Sequence, residues 1–111
     1  MYSSKFITLG IVFNRGVVME YEVLHRPHLK KFLIRLAPGK YAYLGYDIKE
    51  DKLYIESTYT PPEFRGRGIA RRLVLEAIKY AEENNLKIVP ICSYAVRFFE
   101  KNPEYKRVLA E

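Results

Sequence analysis

Thr60-Pro61-Pro62-Glu63-Phe64-Arg65-Gly66-Arg67-Gly68-Ile69-Ala70 is the stretch on which the reading of this chain turns. Before it, strand-like runs with apolar and polar residues in alternation dominate. After it, Ile69, Ala70, Leu73, Val74, Ala77, Ile78 and Ala81 recur at helical spacing, with Arg71, Arg72, Glu76, Lys79, Glu82 and Glu83 opposite. The stretch therefore joins a strand to an amphipathic helix through two glycines. Glycine lets the backbone turn tightly and approach a ligand with no Cβ in the way. The first N–H groups of a helix have no internal acceptor and sit at its positive dipole end. Such a turn suits a pyrophosphate, and Arg65 and Arg67 add charge-assisted donors beside it. The plainer reading is a helix cap with solvated arginines, and a bare Gly-x-Gly does not decide between them. No Gly-Lys-Ser/Thr follows, which excludes a Walker turn, and the third glycine of a dinucleotide fingerprint is absent.

Working outward, the segments upstream predict antiparallel strands at Phe32–Leu36, Lys40–Ile48 and Lys52–Thr60, separated by Pro38-Gly39 and by Lys49-Glu50-Asp51. Connections this short favour antiparallel neighbours. An earlier hairpin is expected over Phe6–Val23, turning at Asn14-Arg15-Gly16, with a polar break at His25-Arg26-Pro27-His28. That hairpin is expected to extend a sheet edge or to pair with a second copy. Downstream, Asn84-Asn85 stops the helix, Lys87–Cys92 is a strand, Ser93 caps a second helix to about Lys101, and Asn102-Pro103 ends it. The fold class is α+β, with antiparallel strands followed by helix, strand and helix.

With these motifs in view, the chain resembles the GNAT superfamily of N-acetyltransferases. Arg65-x-x-Gly68-x-Ala70 is similar to that family's Gln/Arg-x-x-Gly-x-Gly/Ala signature, and Thr60–Gly66 to its strand-end Pro-Glu-Tyr-Arg-Gly pattern. Val89–Tyr94 and Phe98–Tyr105 resemble a compact subgroup with a Pro-x-Cys-Ser-Tyr segment. The resemblance covers about the last two-thirds of the chain. It implies a reduced GNAT fold with an extra N-terminal hairpin, divided as residues 1–28 and an acetyl-CoA-binding domain over 29–111. It also implies that coenzyme A lies along Thr58, Tyr59, Thr60, Arg65, Gly66, Arg67, Gly68, Ile69, Ala70, Arg71 and Ser93. The pantetheine would run between Leu53–Thr60 and Lys87–Cys92 where these splay apart. Pro90 is consistent with a splay and equally with an ordinary edge strand. No counterpart is read for the helix pair between the family's first two strands or for its closing hairpin, so the acceptor side is expected to be shallow and open.

The transfer needs the thioester held, a neutral amine presented and the departing thiolate stabilised. By the resemblance Tyr94 is the general acid and Cys92 lies near the acetyl group. A helix start can also favour a thiolate, although a lone cysteine is often a small buried hydrophobe. Glu56 and Glu63 are the candidate bases. Regular alternation would put Glu56 on one face with Tyr54 and Thr58, where a proton could be relayed through water. The plainer reading of Glu56 is a solvated sheet face. His25 and His28 are too few for a zinc site and read as surface loop, so no metal is expected. Tyr41 and Tyr43 read as cross-strand packing, and Phe98 and Phe99 as anchors of the last helix.

A chain of 111 residues with 49% hydrophobic residues can bury a core of its own as one domain. One cysteine excludes an internal disulfide and suits a reducing, cytoplasmic setting. A net charge of +6 favours polyanions without choosing among cofactor, nucleic acid and membrane. Three readings follow: an acetyl-CoA-dependent transferase acting on a primary amine, such as a protein lysine or N-terminus; a CoA-binding module without turnover; and a basic nucleic-acid-binding protein. The third is least favoured, because no recognised nucleic-acid motif is present and Arg71 and Arg72 fall at the cofactor turn. A homodimer is allowed, and no membrane partner is expected.

Overall fold

The structure is a computed structural model, and it describes residues 21–111. The expected hairpin therefore lies outside the described residues except at Tyr21–Val23. Five strands form one sheet in sequence order: β1 (Val23–Arg26), β2 (Lys31–Ala37), β3 (Lys40–Lys49), β4 (Lys52–Tyr59) and β5 (Lys87–Pro90). The first four pair antiparallel, as short turns require. Helix α1 (Ile69–Glu83) separates β4 from β5, and that long crossover lets β5 pair parallel to β4, from Lys52↔Lys87 to Ile55↔Pro90. Helix α2 (Ser93–Lys101) and a 3-10 segment at Pro103–Val108 follow. Leu109 then bridges Ile88 along the outer edge of β5.

Alternation on the strands and a 3.6-residue period on the helices meet in one core. Phe32, Ile34, Ala42, Leu44, Leu53, Ile55 and Ile88 point from the sheet toward Leu73, Val74, Ala77 and Ala81 of α1 and Ala95, Phe98 and Phe99 of α2. Burying each large aliphatic side chain stabilises the fold by about 1.5–3 kcal/mol. Both helices cover the same face: the Arg71 guanidinium of α1 lies 5.5 Å from the Phe98 ring of α2 and donates to Asn102 Oδ1 at 3.3 Å. Asn84 closes α1, its Nδ2 donating to Tyr80 O at 2.8 Å, and Asn85 takes the left-handed conformation at φ 57°.

Three readings of the sequence change. The polar break at His25 is strand, because the ring stacks on Phe32 at 4.2 Å and shares a 2.6 Å hydrogen bond with the Tyr46 hydroxyl. Aromatic packing thus carries a polar segment into the sheet. The second helix is capped by Cys92 with extended backbone, and Ser93 is its first helical residue. The largest change is in β4, where Gly45 pairs with Ser57 but Tyr46 pairs with Ile55, leaving Glu56 as the extra residue of a β-bulge. The bulge shifts the alternation by one. Thr58, opposite the inward Leu44, joins the face of Leu53 and Ile55, while Ser57 and Tyr59 turn to the other side. Glu56, Tyr54 and Thr58 therefore do not share one face.

Candidate active site

The β4–β5 ladder ends at Ile55↔Pro90. Beyond it, the N–H groups of Ile91 and Cys92 both donate to Ile55 O, at 2.9 and 3.2 Å, and the strands part. Pro90 stands at this point: β5 is an edge strand of the described sheet, and the separation begins at its last residue. Bulge and splay fall on adjacent residues of β4, so the strand changes partner geometry on both sides at once. A cleft of about 370 Å³ lies beyond the splay, between the end of β4 and the start of α1.

Its wall and floor come from Thr58, Thr60, Phe64, Arg65, Gly66, Gly68, Ile69, Ala70, Arg71 and Tyr94. Proline at 61 and 62 sets a short 3-10 turn at Pro62–Phe64, after which Gly66 and Gly68 take positive φ, 82° and 77°. A Cβ built on either glycine meets nothing within 4 Å. Glycine is thus required there by backbone conformation, and the space above it stays open to a ligand. The first helical bond of α1 runs from Arg72 N–H to Gly68 O at 3.0 Å, so the N–H groups of Gly68 through Arg71 precede the ladder at the dipole's positive end. Arg65 Nε donates to Thr60 O at 2.9 Å and ties the turn to the strand end.

Tyr94 reaches the cleft from the first turn of α2. Burial raises its phenol above the usual tyrosine value, with Arg71 partly opposing, so it holds its proton at neutral pH. Glu63 sits outside the lining and pairs with Lys40, whose hydrogen bond holds the carboxyl below the ordinary glutamate value. Glu56 is exposed and acts on Lys30, which itself pairs with Asp47 at 2.8 Å. Cys92 is half-buried and packs against the core, Ser93 is exposed, and neither lines the cleft. The Tyr59 ring lies on the opposite sheet face, 5.7 Å from Tyr43, and Arg67 folds over the Phe64 ring at 5.2 Å. Of the candidates, the cleft therefore gathers Thr58, Thr60, Arg65, Gly66, Gly68, Ile69, Ala70, Arg71 and Tyr94. Phe64 was missed, and its only signal is an aromatic residue inside an otherwise polar turn.

The same architecture recurs elsewhere. Residues 31–108 match the family model described as GCN5-related N-acetyl-transferase. The chain belongs to the GCN5-related N-acetyltransferases. Protein NATD1 of Homo sapiens is 31% identical over 108 residues, covering 92% of this chain and 89% of that one. Protein NATD1 of Gallus gallus is 31% identical over 88 residues, covering 74% and 76%. In three dimensions the N-acetyltransferase fold is similar to the NMR solution structure of a GCN5-like protein from Staphylococcus aureus, with a TM-score of 0.67 and 28% identity over 80% of this chain and 87% of that one. Membership of this family assigns the chain to the acetyltransferases.

Proposed function

We propose that this N-acetyltransferase takes its acetyl group from acetyl-CoA and delivers it to a primary amine. The observation that carries the reading is the row of unengaged N–H groups from Gly68 to Arg71 on the floor of a cleft opened by strand separation. These donors, with Arg65 and Arg71 beside them, suit a pyrophosphate. The parted ends of β4 and β5 leave backbone groups beyond Ile55 for a pantetheine arm, which is amide-bearing and extended. Acetyl-CoA, when bound, supplies an acyl thioester. The chain's part is then to hold it, exclude water with Phe64 and Ile69, and offer the Tyr94 O–H to the sulfur that leaves as the amine nitrogen bonds the acyl carbon.

Among the described residues, no carboxylate or imidazole lines the cleft. With that lining, transfer draws on the fraction of acceptor amine that is already neutral. An α-amine, with an ordinary pKa of ~7.7–8.0, suits such a site at neutral pH better than a lysine at ~10.4. The missing base also supports a second reading, a CoA-binding module without turnover. Melting the protein with acetyl-CoA, then assaying free-thiol release with peptides bearing α-amines or lysines, separates the two. Stabilisation of ~2–3 kcal/mol at a hundredfold excess over the Kd is expected from binding. Release with α-amine peptides supports transfer. Stabilisation without release from either acceptor leaves the binding module, and no stabilisation overturns both.

A further inference from the structure

We infer that the sheet face turned away from the helices binds single-stranded nucleic acid. Among the described residues no element covers this face, since both helices and the 3-10 segment pack on the other. Strand alternation brings four tyrosines to it: Tyr41, Tyr43, Tyr54 and Tyr59. Tyr43 and Tyr59 are cross-strand partners with ring centroids 5.7 Å apart, and Tyr41 and Tyr59 are 42% and 41% exposed. These two rings stand at the same end of the central strands, Tyr41 near the start of β3 and Tyr59 at the end of β4, and their exposure leaves aromatic faces available for stacking.

Cations surround the rings. Arg26, Lys31, Arg35, Lys49 and Lys52 occupy the same face by pairing register. Lys31 Nζ lies 4.8 Å from the Tyr43 centroid and Lys49 Nζ 5.9 Å from that of Tyr54. The acids nearby are Asp47, already paired with Lys30, Asp51, 3.4 Å from Lys52, and Glu56 at the bulge. Most of this positive charge lies away from the arginines of the cleft and has no part in the acetyl-transfer reading. A second copy of the chain would set two cationic faces against each other. The segment 1–20 does not complement the face either, for its charged side chains are Lys5, Arg15 and Glu20. An anionic partner with planar groups fits both features: phosphates meet the lysines and arginines, and bases stack on the tyrosines. A sheet face bearing exposed aromatics suits unpaired bases, because a duplex keeps its bases stacked on one another.

The test is fluorescence anisotropy of the full chain with a labelled single-stranded RNA of about 12 nucleotides, a length within the usual span of such sites. Binding should weaken with salt, with a log–log slope of about −0.7 per phosphate contact, and Lys31→Gln should make the slope shallower by about that amount. Tyr59→Ala and Tyr43→Ala should each weaken binding by about 5–100-fold, the scale of one lost stacking contact, while Tyr59→Phe keeps it. Saturating acetyl-CoA should leave binding unchanged. The inference is overturned if the RNA does not bind or if a duplex binds better. It is overturned equally if acetyl-CoA displaces the strand, or if folded tyrosine variants bind as the parent does. Capture by phosphatidylserine vesicles that outcompete the RNA would assign the face to a membrane surface and overturn it too.

Discussion

Replacing Gly68 by alanine separates what the turn does for the fold from what it does for a ligand. The residue has φ 77°, and a Cβ placed there meets no atom within 4 Å, so the cost is backbone strain alone. The left-handed region costs an L-residue roughly 1–2 kcal/mol. Alanine recovers about 0.4–1 kcal/mol of that by narrowing the unfolded ensemble. The net is about 1 kcal/mol, a fall of roughly 4–6 °C in Tm for a domain near this size. Asparagine, which tolerates the conformation, should cost less. Gly39 supplies the control, because it has φ 74°, equally open space and a position in the β2–β3 turn outside the cleft lining. Gly39→Ala and Gly68→Ala should therefore lower Tm alike in differential scanning calorimetry. Added acetyl-CoA should raise the Tm of Gly39→Ala as it does the parent's, and that of Gly68→Ala much less, because the new methyl enters open space that a ligand on this turn would occupy. Equal ligand responses from the two variants would refute the placement of the anion on this turn. A Gly68→Ala protein as stable as the parent would refute the strain.

Other consequences can be checked in parallel. Tyr94→Phe should lower kcat by about 10²–10⁴-fold with little change in KM for acetyl-CoA, as expected for loss of a positioned proton donor, whereas Cys92→Ala should keep kcat within the same order of magnitude. Burial holds His25 below its ordinary pKa of 6.5 against the opposing charge of Glu76, so the unfolded chain binds the proton more readily. Stability should therefore be complete above about pH 6.5 and fall as pH drops toward the folded-state value, and thermal melts of His25→Gln should show a flatter profile. Leu73→Ala, at a fully buried position, should cost about 2–5 kcal/mol in urea titration without altering the m-value.

Much of this fold was legible because its periods are long enough to read. Phe32–Leu36, Lys40–Ile48 and α1 carry several repeats each, and the boundaries at Asn84 and Asn102 are marked by residues whose side chains compete for backbone groups. The glycine turn was legible because φ above zero narrows the choice of residue. The bulge was not: Tyr54-Ile55-Glu56-Ser57-Thr58-Tyr59-Thr60 reads as unbroken strand, and one inserted residue leaves no compositional mark. Glu56 was assigned a face by a parity that fails at Glu56 itself. His25 escaped for another reason, since its place depends on rings from β2, β3 and α1 that only tertiary packing assembles.

The bulge makes the character of the cleft wall a matter of counting. With Glu56 absorbed in the bulge, Thr58 and Thr60 line the cleft while Ser57 and Tyr59 turn away. A ladder running straight through Glu56 would do the reverse, turning Ser57 and Tyr59 inward and the threonines to the cationic side. Deleting Glu56 would instead set Ile55 beside Ser57 and keep Ser57 opposite Gly45 and Thr58 opposite Leu44. The unpaired residue thus stands between a wall narrow enough to admit a slender chain and one plugged by a phenol ring, and it does so without lending the wall a side chain of its own.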